Sequence, residues 1–361
     1  MKDLTILICF LTIALLSACS SENGPAAHNS RYPEAEAQNI DPAGLENAFD
    51  VASAIATSKW LIVERNGVIV MEEYFNGNTA ASYTNIWSDT KSITSILMGI
   101  AIDQGYIESI DQPISDYISE IKPDLDPEKG AIPIRHFLTM TSGLPWYELS
   151  QDGISNNSDF PTWVNSDNQV NWVLDRPLLY TPGEHWNYHT GGSHLLAVII
   201  ARAIGGSLHD FAVENLFDPL DIEVGTWPQD RQGYYHGSHG INLKGRDMLK
   251  IGRMMLDDGT YNGVQVLPST WVDVSTSYIY PVFNIEGNLE GYGYQWWVGS
   301  FNGMNYFSAN GYGGQYIIVF PEEDLIIVSG TRAELYDLNG ANQSGEIMGR
   351  AIWQNIMPAV H

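Results

Sequence analysis

The sequence predicts an α+β fold, in which an antiparallel sheet flanked by helices carries a mainly helical insertion. Two observations lead to this prediction. Strand patterns occur near both ends of the chain, and the long middle segment has the apolar spacing of helices. Strands from both ends can pair in one sheet, which leaves the middle segment as a second lobe. A cleft between the sheet and the insertion is then expected.

The N-terminal part of this fold should contain one helix and one hairpin. Residues 45–56 place apolar side chains at helical spacing. Residues 59–75 form two β-rich runs around Asn66 and Gly67, a dipeptide that suits the positive φ angles of a type I′ turn. We therefore expect a helix followed by two antiparallel strands.

The C-terminal part has the pattern of an antiparallel meander. Glycine, asparagine and proline separate its apolar runs, and these residues favour turns. A last segment at residues 344–357 predicts a closing helix. The predicted strands cover residues 292–299, 304–309, 314–320 and 324–331.

The middle of the chain is predicted to be mostly helical. Residues 191–206 and 245–259 show the clearest helical spacing. No internal repeat and no second linker occurs in the sequence, so one module should follow the N-terminal segment. The predicted parts are a signal peptide at 1–18, a tether at 19–42 and a domain at 43–361, with a sheet lobe at 43–88 and 290–361 and a helical lobe at 89–289.

The chain is strongly acidic and also rich in apolar residues. It has 17 Lys and Arg against 43 Asp and Glu, a formal net charge of -26, and 44% hydrophobic residues. This composition allows a large core. It argues against nucleic acid or anionic headgroups as partners, because both repel a negative protein. We interpret the acidity as a solvated surface.

The N-terminus has the features of an export signal. An apolar run from Leu4 to Ala18 is shorter than a membrane-spanning helix. The sequence Leu-Ser-Ala-Cys at 16–19 resembles a bacterial lipobox, with Cys19 as the lipidated first residue. An ordinary secretory signal is the alternative. The resemblance implies an exported lipoprotein that faces the periplasm or the cell surface, anchored in the outer membrane of a Gram-negative bacterium.

Neither cysteine chemistry nor a metal centre is predicted. Cys9 leaves with the signal peptide and Cys19 would be lipidated, so no thiol is left for a disulfide, a nucleophile or zinc. The nine histidines form no His-Glu-x-x-His string. We expect no cofactor.

Ser88 and Lys91 form a Ser-x-x-Lys pair at the start of a predicted helix. Free N–H groups and the helix dipole at this end favour developing negative charge. A lysine three residues after a serine lies on the same helix face, and desolvation lowers its pKa until it can accept the serine proton. The alternative is that Ser88 only caps the helix.

A second Ser-x-x-Lys pair shows that the spacing alone is weak evidence. Ser119 and Lys122 stand at the end of a predicted helical run, directly before Pro123. Carbonyl groups are exposed at this end of a helix and would repel an oxyanion. We therefore expect Ser88, and not Ser119, to be the reactive serine.

Three further motifs follow Ser88 in order: a loop, a tyrosine directly before a helix, and a Gly-rich strand start. They are residues 134–146 (IRHFLTMTSGLPW), residues 182–200 with Tyr188, and residues 307–328 with Tyr312-Gly313-Gly314-Gln315. This ordered set, over roughly residues 45–358, resembles the superfamily of serine β-lactamases and penicillin-binding proteins. It resembles in particular the class C-like branch of esterases and 6-aminohexanoate-dimer hydrolases.

The resemblance implies a role for individual residues. Ser88 would be the acylated nucleophile and Lys91 its activating partner. Tyr188 would pass a proton between the nucleophile and the leaving group, and which of Lys91 and Tyr188 takes the serine proton stays open. The N–H groups of Ser88 and Gln315 would form the oxyanion hole.

Two positions depart from the family pattern. The family's Tyr-x-Asn reads Tyr188-His189-Thr190, and the first residue of its Lys-Thr-Gly reads Tyr312. In β-lactamases the asparagine holds the substrate amide and the lysine meets its carboxylate. Both replacements therefore argue against β-lactams and favour an ester or a neutral amide.

Aromatic side chains are predicted to border the cleft and to select the substrate by shape. Strand alternation lets only one of Trp296 and Trp297 face the site, and we predict Trp296. Packing in the core is the alternative for each aromatic residue. Tyr292, Tyr294 and Trp297 lie in segments that should also border the cleft, and Asn310 and Arg332 are weaker candidates for polar contacts, each with a role in a surface turn as its alternative. The predicted substrate-binding residues are Trp146, Trp186, Thr190, Trp296, Asn310, Tyr312, Gly313 and Gly314.

The resemblance therefore implies a serine hydrolase that forms an acyl-enzyme on a small ester or amide, with weak or absent β-lactamase activity. One alternative is a surface lipoprotein of penicillin-binding type that binds peptidoglycan or peptide without turnover. Another is a true β-lactamase or D-alanyl peptidase. The sequence has no Gly-x-Ser-x-Gly motif, which argues against an α/β-hydrolase.

Overall fold

The computed structural model describes residues 30–150, 153–154, 158–283, 289–333 and 338–361. It confirms the predicted α+β architecture, with one large antiparallel sheet of eight strands drawn from both ends of the chain. The predicted signal peptide and Cys19 lie outside the described residues, so the lipoprotein assignment stays a prediction.

The strands are numbered along the chain. They are β1 Ser58–Arg65, β2 Val68–Tyr74, β3 Tyr83–Asn85, β4 Leu149–Ser150, β5 Gly153–Ile154, β6 Asn242–Lys244, β7 Thr260–Tyr261, β8 Val264–Gln265, β9 Tyr280–Phe283, β10 Leu289–Tyr292, β11 Trp297–Phe301, β12 Met304–Gly311, β13 Gln315–Phe320 and β14 Leu325–Thr331. The large sheet has the order β2-β1-β14-β13-β12-β11-β10-β9, and β3 pairs with β6 beside it.

The α-helices are numbered in the same way. They are α1 Pro42–Ser53, α2 Asp89–Asp103, α3 Ser115–Ile118, α4 Pro127–Gly130, α5 Ile134–Leu138, α6 Phe160–Val164, α7 Gln169–Leu174, α8 Thr190–Ile204, α9 Leu208–Ala212, α10 Gly245–Leu256, α11 Ser269–Ser275 and α12 Leu338–Ala351. Within the described ranges no single helix is long and apolar enough to cross a membrane. The pair Thr190–Ile204 and Leu208–Phe217, bent by 87°, meets that test by length and composition.

The large sheet is covered by apolar packing on both faces. Along β1, Trp60 and Ile62 belong to the core shared with the helical insertion, whereas Leu61 and Val63 belong to the core with α1 and α12. This alternation is the two-residue period of a strand that is buried on both sides. The turn after β1 forms as predicted, because Asn66 adopts a φ of 51° and the following glycine a φ of 72°.

The single strand predicted at residues 292–299 is wrong. β10 ends at Tyr292 and β11 begins at Trp297. Between them Gln295 has a φ of 64°, and its N–H donates to the carbonyl of Leu138 in α5 instead of to a neighbouring strand. The apolar pattern gave no sign of this break, since Tyr294 and Trp296 on either side of Gln295 are aromatic and buried.

Gln295 connects the sheet to three helices of the insertion. Its Nε2 donates to the carbonyls of Phe137 and Leu138 in α5, both at 2.9 Å. Its Oε1 accepts the hydroxyl proton of Ser193 in α8 at 2.7 Å. Its backbone carbonyl accepts the hydroxyl proton of Ser92 in α2, also at 2.7 Å. One buried residue therefore sets the relative positions of α2, α5 and α8.

The predicted boundaries need three corrections. The tether predicted at 19–42 includes Tyr32 and Ile40, which are buried against the sheet lobe. The helical lobe predicted at 89–289 includes β9, which pairs with β10 in the large sheet. The closing helix α12 begins at Leu338, six residues before the predicted start at 344, because residues without a clear apolar pattern also join it.

We expect Gln295→Leu to lower the free energy of unfolding by about 3 kcal/mol, because the change leaves buried carbonyl and hydroxyl groups without partners. Urea denaturation followed by circular dichroism measures this loss. Gln104→Leu is the matched control: Gln104 makes one exposed hydrogen bond, to Asn215, and its loss should change stability by less than about 0.5 kcal/mol. Equal losses in the two variants would contradict the role of Gln295.

Candidate active site

Ser88 lies directly before α2, as predicted. The preceding Trp87 has a φ of 49°, a rare conformation for a large residue, and it turns the chain from β3 into the helix. The Ser88 side chain makes no capping hydrogen bond to α2. Lys91 Nζ donates to Ser88 Oγ at 2.8 Å instead. The alternative that Ser88 only caps the helix is therefore wrong.

Lys91 is buried at the bottom of the site, with 2% of its surface exposed. Its Nζ also donates to the carbonyl of Ser238 at 3.1 Å. Burial lowers the pKa of Lys91 to about 8, because removal of water disfavours the ammonium form, while Glu148 and then Asp89 oppose this shift. A pKa in this range lets the amine accept a proton near neutral pH.

Tyr188 stands beside the same pair of side chains. It ends the loop before α8, is buried, and lies close enough to Ser88 for the serine hydroxyl to lower the pKa of its phenol slightly. Lys91 Nζ lies 4.9 Å from the centre of its ring. Burial raises the pKa of the Tyr188 phenol, and the charge of Glu148 raises it further. The phenol is therefore protonated at neutral pH and suited to donate a proton.

Two residues predicted to bind substrate belong to the core instead. Thr190 is the first residue of α8, and both Thr190 and Trp146 are buried. The Trp146 ring stacks on His189 with ring centres 4.7 Å apart. His189 Nδ1 accepts the N–H of Gly192 at 2.8 Å and so caps α8. The departure at His189-Thr190 thus has a structural role that the spacing of the motif could not show.

Trp297, and not Trp296, faces Tyr188, so the prediction for Trp296 is wrong. Trp296 is fully buried and packs edge-on against Phe307. The Trp297 ring lies parallel to that of Tyr188 to within 26°, with ring centres 6.0 Å apart. The break at Gln295 resets the alternation on which the prediction depended.

An aromatic wall forms one side of the site. Its half-buried members are available to a substrate, whereas Tyr292 is fully buried behind them. Trp186 lies within 6 Å of both Tyr292 and Trp297, so the predicted place of Trp186 near the cleft agrees with the structure. The wall consists of Trp186, Tyr188, Tyr292 and Trp297.

The Gly-rich turn joins β12 to β13, as the motif predicts. Gly313 and Gly314 have φ angles of 84° and 97°, which only glycine adopts at low cost. The Tyr312 ring packs edge-on against Trp87 with ring centres 5.2 Å apart. Asn310 lies half-buried in β12, opposite Tyr316. The turn therefore borders Trp87, the residue directly before Ser88.

Gln315 is an anchor of this turn and is fully buried. Its Nε2 donates to the Tyr312 carbonyl at 3.1 Å and to Thr331 Oγ1 at 2.9 Å, and its Oε1 accepts the Thr331 N–H at 2.8 Å. Its backbone pairs with Gly311 in the β12–β13 ladder. A Cβ on Gly311 would lie 2.4 Å from the Ile86 carbonyl oxygen, so the strand passes closest to the Ser88 loop just before Tyr312.

Arg332, a weaker candidate, lies outside this catalytic group. It is exposed and lines a groove of about 350 Å³ with Lys59, Tyr83 and Trp87. The second Ser-x-x-Lys pair also lies elsewhere. The ammonium of Lys122 forms ion pairs with Asp124 and Asp175, and these bonds raise its pKa. Unlike Lys91, it cannot act as a base near neutral pH.

Glu148 is a residue of the site that the sequence analysis missed. It lies two residues beyond the last motif residue of the loop, is 6% exposed, and accepts a hydrogen bond from Trp146 Nε1 at 2.5 Å. Its charge is close enough to raise the pKa of both Lys91 and Tyr188. The signal in the sequence was an acidic residue directly after an apolar, aromatic loop.

A buried histidine cluster lies behind the site. His194 Nε2 is 3.0 Å from Asp230 Oδ2, and the ring of His236 lies between those of His194 and His239, at 5.1 and 4.3 Å. Burial lowers the pKa of His236 to about 3 and that of His239 also well below its usual range. Among the described residues, no group of His, Cys, Asp or Glu is arranged to hold a metal ion.

Comparison with known proteins assigns the chain to a family. A family model described as Beta-lactamase matches residues 51–333. The chain belongs to the β-lactamase family. The 6-aminohexanoate-dimer hydrolase of Paenarthrobacter ureafaciens is 25% identical over 283 residues, which cover 73% of this chain and 69% of that protein. The predicted resemblance is therefore confirmed.

Solved structures of the family share the fold. EstCE1, described as a hydrolase with promiscuous acyltransferase activity, superposes with a TM-score of 0.66 at 15% identity, over 86% of this chain and 98% of that one. A penicillin-binding protein from Bacillus halodurans gives a TM-score of 0.62 at 18% identity, over 83% and 98%. These matches support the α+β architecture with a helical insertion.

The different positions of the two tryptophans in this family member predict different stability losses. Trp296→Ala should lower the free energy of unfolding by about 4 kcal/mol, because it opens a cavity in the core. Trp297→Ala should cost less than half as much, since the ring is partly exposed already. Urea denaturation of both variants checks the assignment, and a larger loss for Trp297→Ala would contradict it.

The histidine cluster predicts loss of stability in acid. His236 has a folded pKa of about 3, below its unfolded value of about 6.5. The unfolded chain therefore binds the proton first, and stability falls as the pH drops below about 6.5. From pH 7 to pH 4 the loss is on the order of 3 kcal/mol. His236→Phe should reduce this loss in urea titrations, whereas the exposed control His185→Phe should not.

Proposed function

We propose that this protein is a serine hydrolase that forms an acyl-enzyme on a small ester or amide. The observation that carries the proposal is the 2.8 Å contact between Lys91 Nζ and Ser88 Oγ at the start of α2. Both members of this pair suit the chemistry, because Ser88 is partly accessible and Lys91 is buried with its pKa lowered to about 8.

Lys91 is the base of this mechanism. Ser88 Oγ attacks the substrate carbonyl carbon, and its proton passes to Lys91 Nζ as the new C–O bond forms. Tyr188 is protonated and lies beside Ser88 and Lys91, so it donates a proton to the leaving group as the acyl-enzyme forms, and Lys91 then returns a proton to Tyr188. In the second half of the reaction, water attacks the acyl carbonyl carbon and gives a proton to Lys91, while Ser88 Oγ leaves and takes a proton from Tyr188. The sequence left open whether Lys91 or Tyr188 takes the serine proton. We choose Lys91 because burial lowers its pKa and raises the pKa of Tyr188.

The oxyanion hole consists of the N–H groups of Ser88 and Gln315. Ser88 precedes a helix, where the dipole favours negative charge. Gln315 begins β13 directly after the Gly-rich turn, and it pairs with Gly311, where a Cβ would lie 2.4 Å from the carbonyl oxygen of Ile86, two residues before Ser88. Each donor of this kind contributes about 3 kcal/mol to the transition state.

The residues that surround Ser88 indicate the class of substrate. The aromatic wall beside Tyr188 offers apolar contact and edge-on packing to an acyl or leaving group. Tyr312 stands where β-lactamases carry a lysine, so a substrate carboxylate finds no cation at that position. An uncharged ester or amide fits better than a β-lactam, and the names of two relatives, an amide-dimer hydrolase and a hydrolase with acyltransferase activity, support this choice.

We expect purified protein to hydrolyse short p-nitrophenyl esters or an aminohexanoate dimer faster than a chromogenic cephalosporin. Ser88→Ala should reduce turnover by roughly a thousand-fold and should abolish the acyl adduct in intact-mass spectra. The rate should rise with pH through about 8 as Lys91 loses its proton.

Ser119→Ala is the matched control, since it removes the serine of the second Ser-x-x-Lys pair and should leave turnover unchanged. Full activity in Ser88→Ala, or no hydrolysis and no adduct with any substrate including D-alanyl peptides, would refute the proposal. The second result would instead favour a protein that binds peptide without turnover.

A further inference from the structure

Glu148 is a buried carboxylate that the catalytic steps above do not use. One oxygen, Oε2, accepts the Trp146 indole N–H, and in the described part of the chain Oε1 has no hydrogen-bond partner. A buried charge of this kind is costly unless another group compensates for it. A group near Glu148 whose positive charge would offset this cost is therefore expected.

The path from Glu148 to the catalytic residues is short. Trp146, which holds the carboxylate, stacks on His189 at 4.7 Å between ring centres. His189 directly follows Tyr188, whose ring lies 4.9 Å from Lys91 Nζ. The indole of Trp146 thus sets the orientation of Glu148, and this chain of ring contacts connects the carboxylate with Lys91.

We propose that Glu148 is a positioning residue that stabilises the ammonium form of Lys91 while Lys91 holds the proton taken from Ser88. The inference rests on the proposed serine hydrolase mechanism. As Ser88 Oγ bonds to the carbonyl carbon, its proton moves to Lys91 Nζ and negative charge moves to the carbonyl oxygen. The new ammonium lies in a dry pocket, where a nearby carboxylate has its greatest effect. When the proton passes on through Tyr188, the charge of Glu148 is again uncompensated.

Other charged or titratable groups near Lys91 are less suited to this role. Asp89 is fully buried, both of its carboxyl oxygens lack hydrogen-bond partners among the described residues, and burial raises its pKa well above the usual value, which favours its neutral form. Burial lowers the pKa of His189 and His239, so both rings are uncharged near neutral pH. Tyr188 is a protonated phenol. Glu148 is the negative charge that remains on the elements around Lys91.

Glu148→Gln tests the proposal, since the amide oxygen can still accept the Trp146 N–H while the charge is lost. Without that charge the pKa of Lys91 falls, so the acid limb of kcat/KM for a neutral p-nitrophenyl ester should move to lower pH by about one unit. The ammonium in the transition state also loses its partner, so the plateau rate should fall by about tenfold. A residue that only supported the fold would not move the limb.

Three further variants complete the design. Glu148→Asp keeps the charge and should keep the acid limb near its wild-type pH. Glu120→Gln removes an exposed acid paired with Arg202, far from the catalytic residues, and should leave the whole profile unchanged. Asp89→Asn removes a carboxyl group that we regard as neutral and should leave the limb in place. Thermal unfolding of each variant confirms that the fold is intact.

The outcomes separate this inference from the proposed function. If Ser88→Ala is inactive but the limb of Glu148→Gln coincides with wild type, the serine hydrolase stands and the role of Glu148 is refuted. A shift in Asp89→Asn in place of Glu148→Gln would assign the role to Asp89 and also overturn the inference. An equal shift in Glu148→Asp would show that charge is not the cause. If Ser88→Ala stays active, the proposed function itself fails.

Discussion

The desolvation of Lys91 is the constraint on which the rest of the site depends. A lysine that is 2% exposed cannot keep its ammonium form at low cost, so its amine must find hydrogen-bond partners inside the protein. Ser88 Oγ and the Ser238 carbonyl provide them at 2.8 and 3.1 Å. The same burial that lowers the pKa of Lys91 therefore also fixes its nitrogen against the serine. Basicity and geometry have one cause, which is the packing of α2 within the helical lobe.

The relative position of α2 and the loop before α8 must be fixed if Ser88 and Lys91 are to lie beside Tyr188. Gln295 makes the connection, because it bonds Ser92 one turn after Ser88 and Ser193 close to the start of α8. One buried residue thus fixes the position of α2, which carries Lys91 and follows Ser88, relative to α8, which follows Tyr188. The hydrogen bonds of Gln295 to α5 remove the freedom that a simple strand connection would leave. In the proposed mechanism, Gln295 would therefore set the geometry of proton transfer without contacting the reacting atoms.

The sequence was sufficient for features that depend on local rules. The hairpin at Asn66 follows from turn chemistry, and the choice of Ser88 over Ser119 follows from which end of a helix each occupies. Trp296 was predicted incorrectly because strand alternation is a local rule that a single residue with positive φ can interrupt. Glu148 was missed for another reason. Its proposed role depends on an electrostatic interaction with Lys91 in α2, far away in the sequence, and no pattern of spacing records such an interaction.

Backbone strain marks the same region. In the described part of the chain, the positive φ angles outside glycine fall on Asn and Asp, residues that tolerate them, with three exceptions: Trp87, Met140 and Gln295. Each exception borders the site. Trp87 precedes the nucleophile, the Met140 carbonyl accepts the Asn187 N–H just before Tyr188, and Gln295 joins the helices. Strain of about 1–3 kcal/mol per residue persists only where surrounding contacts enforce it. Its concentration around Ser88 and Tyr188 supports the proposed reactive geometry, because such strain is typical of functional sites.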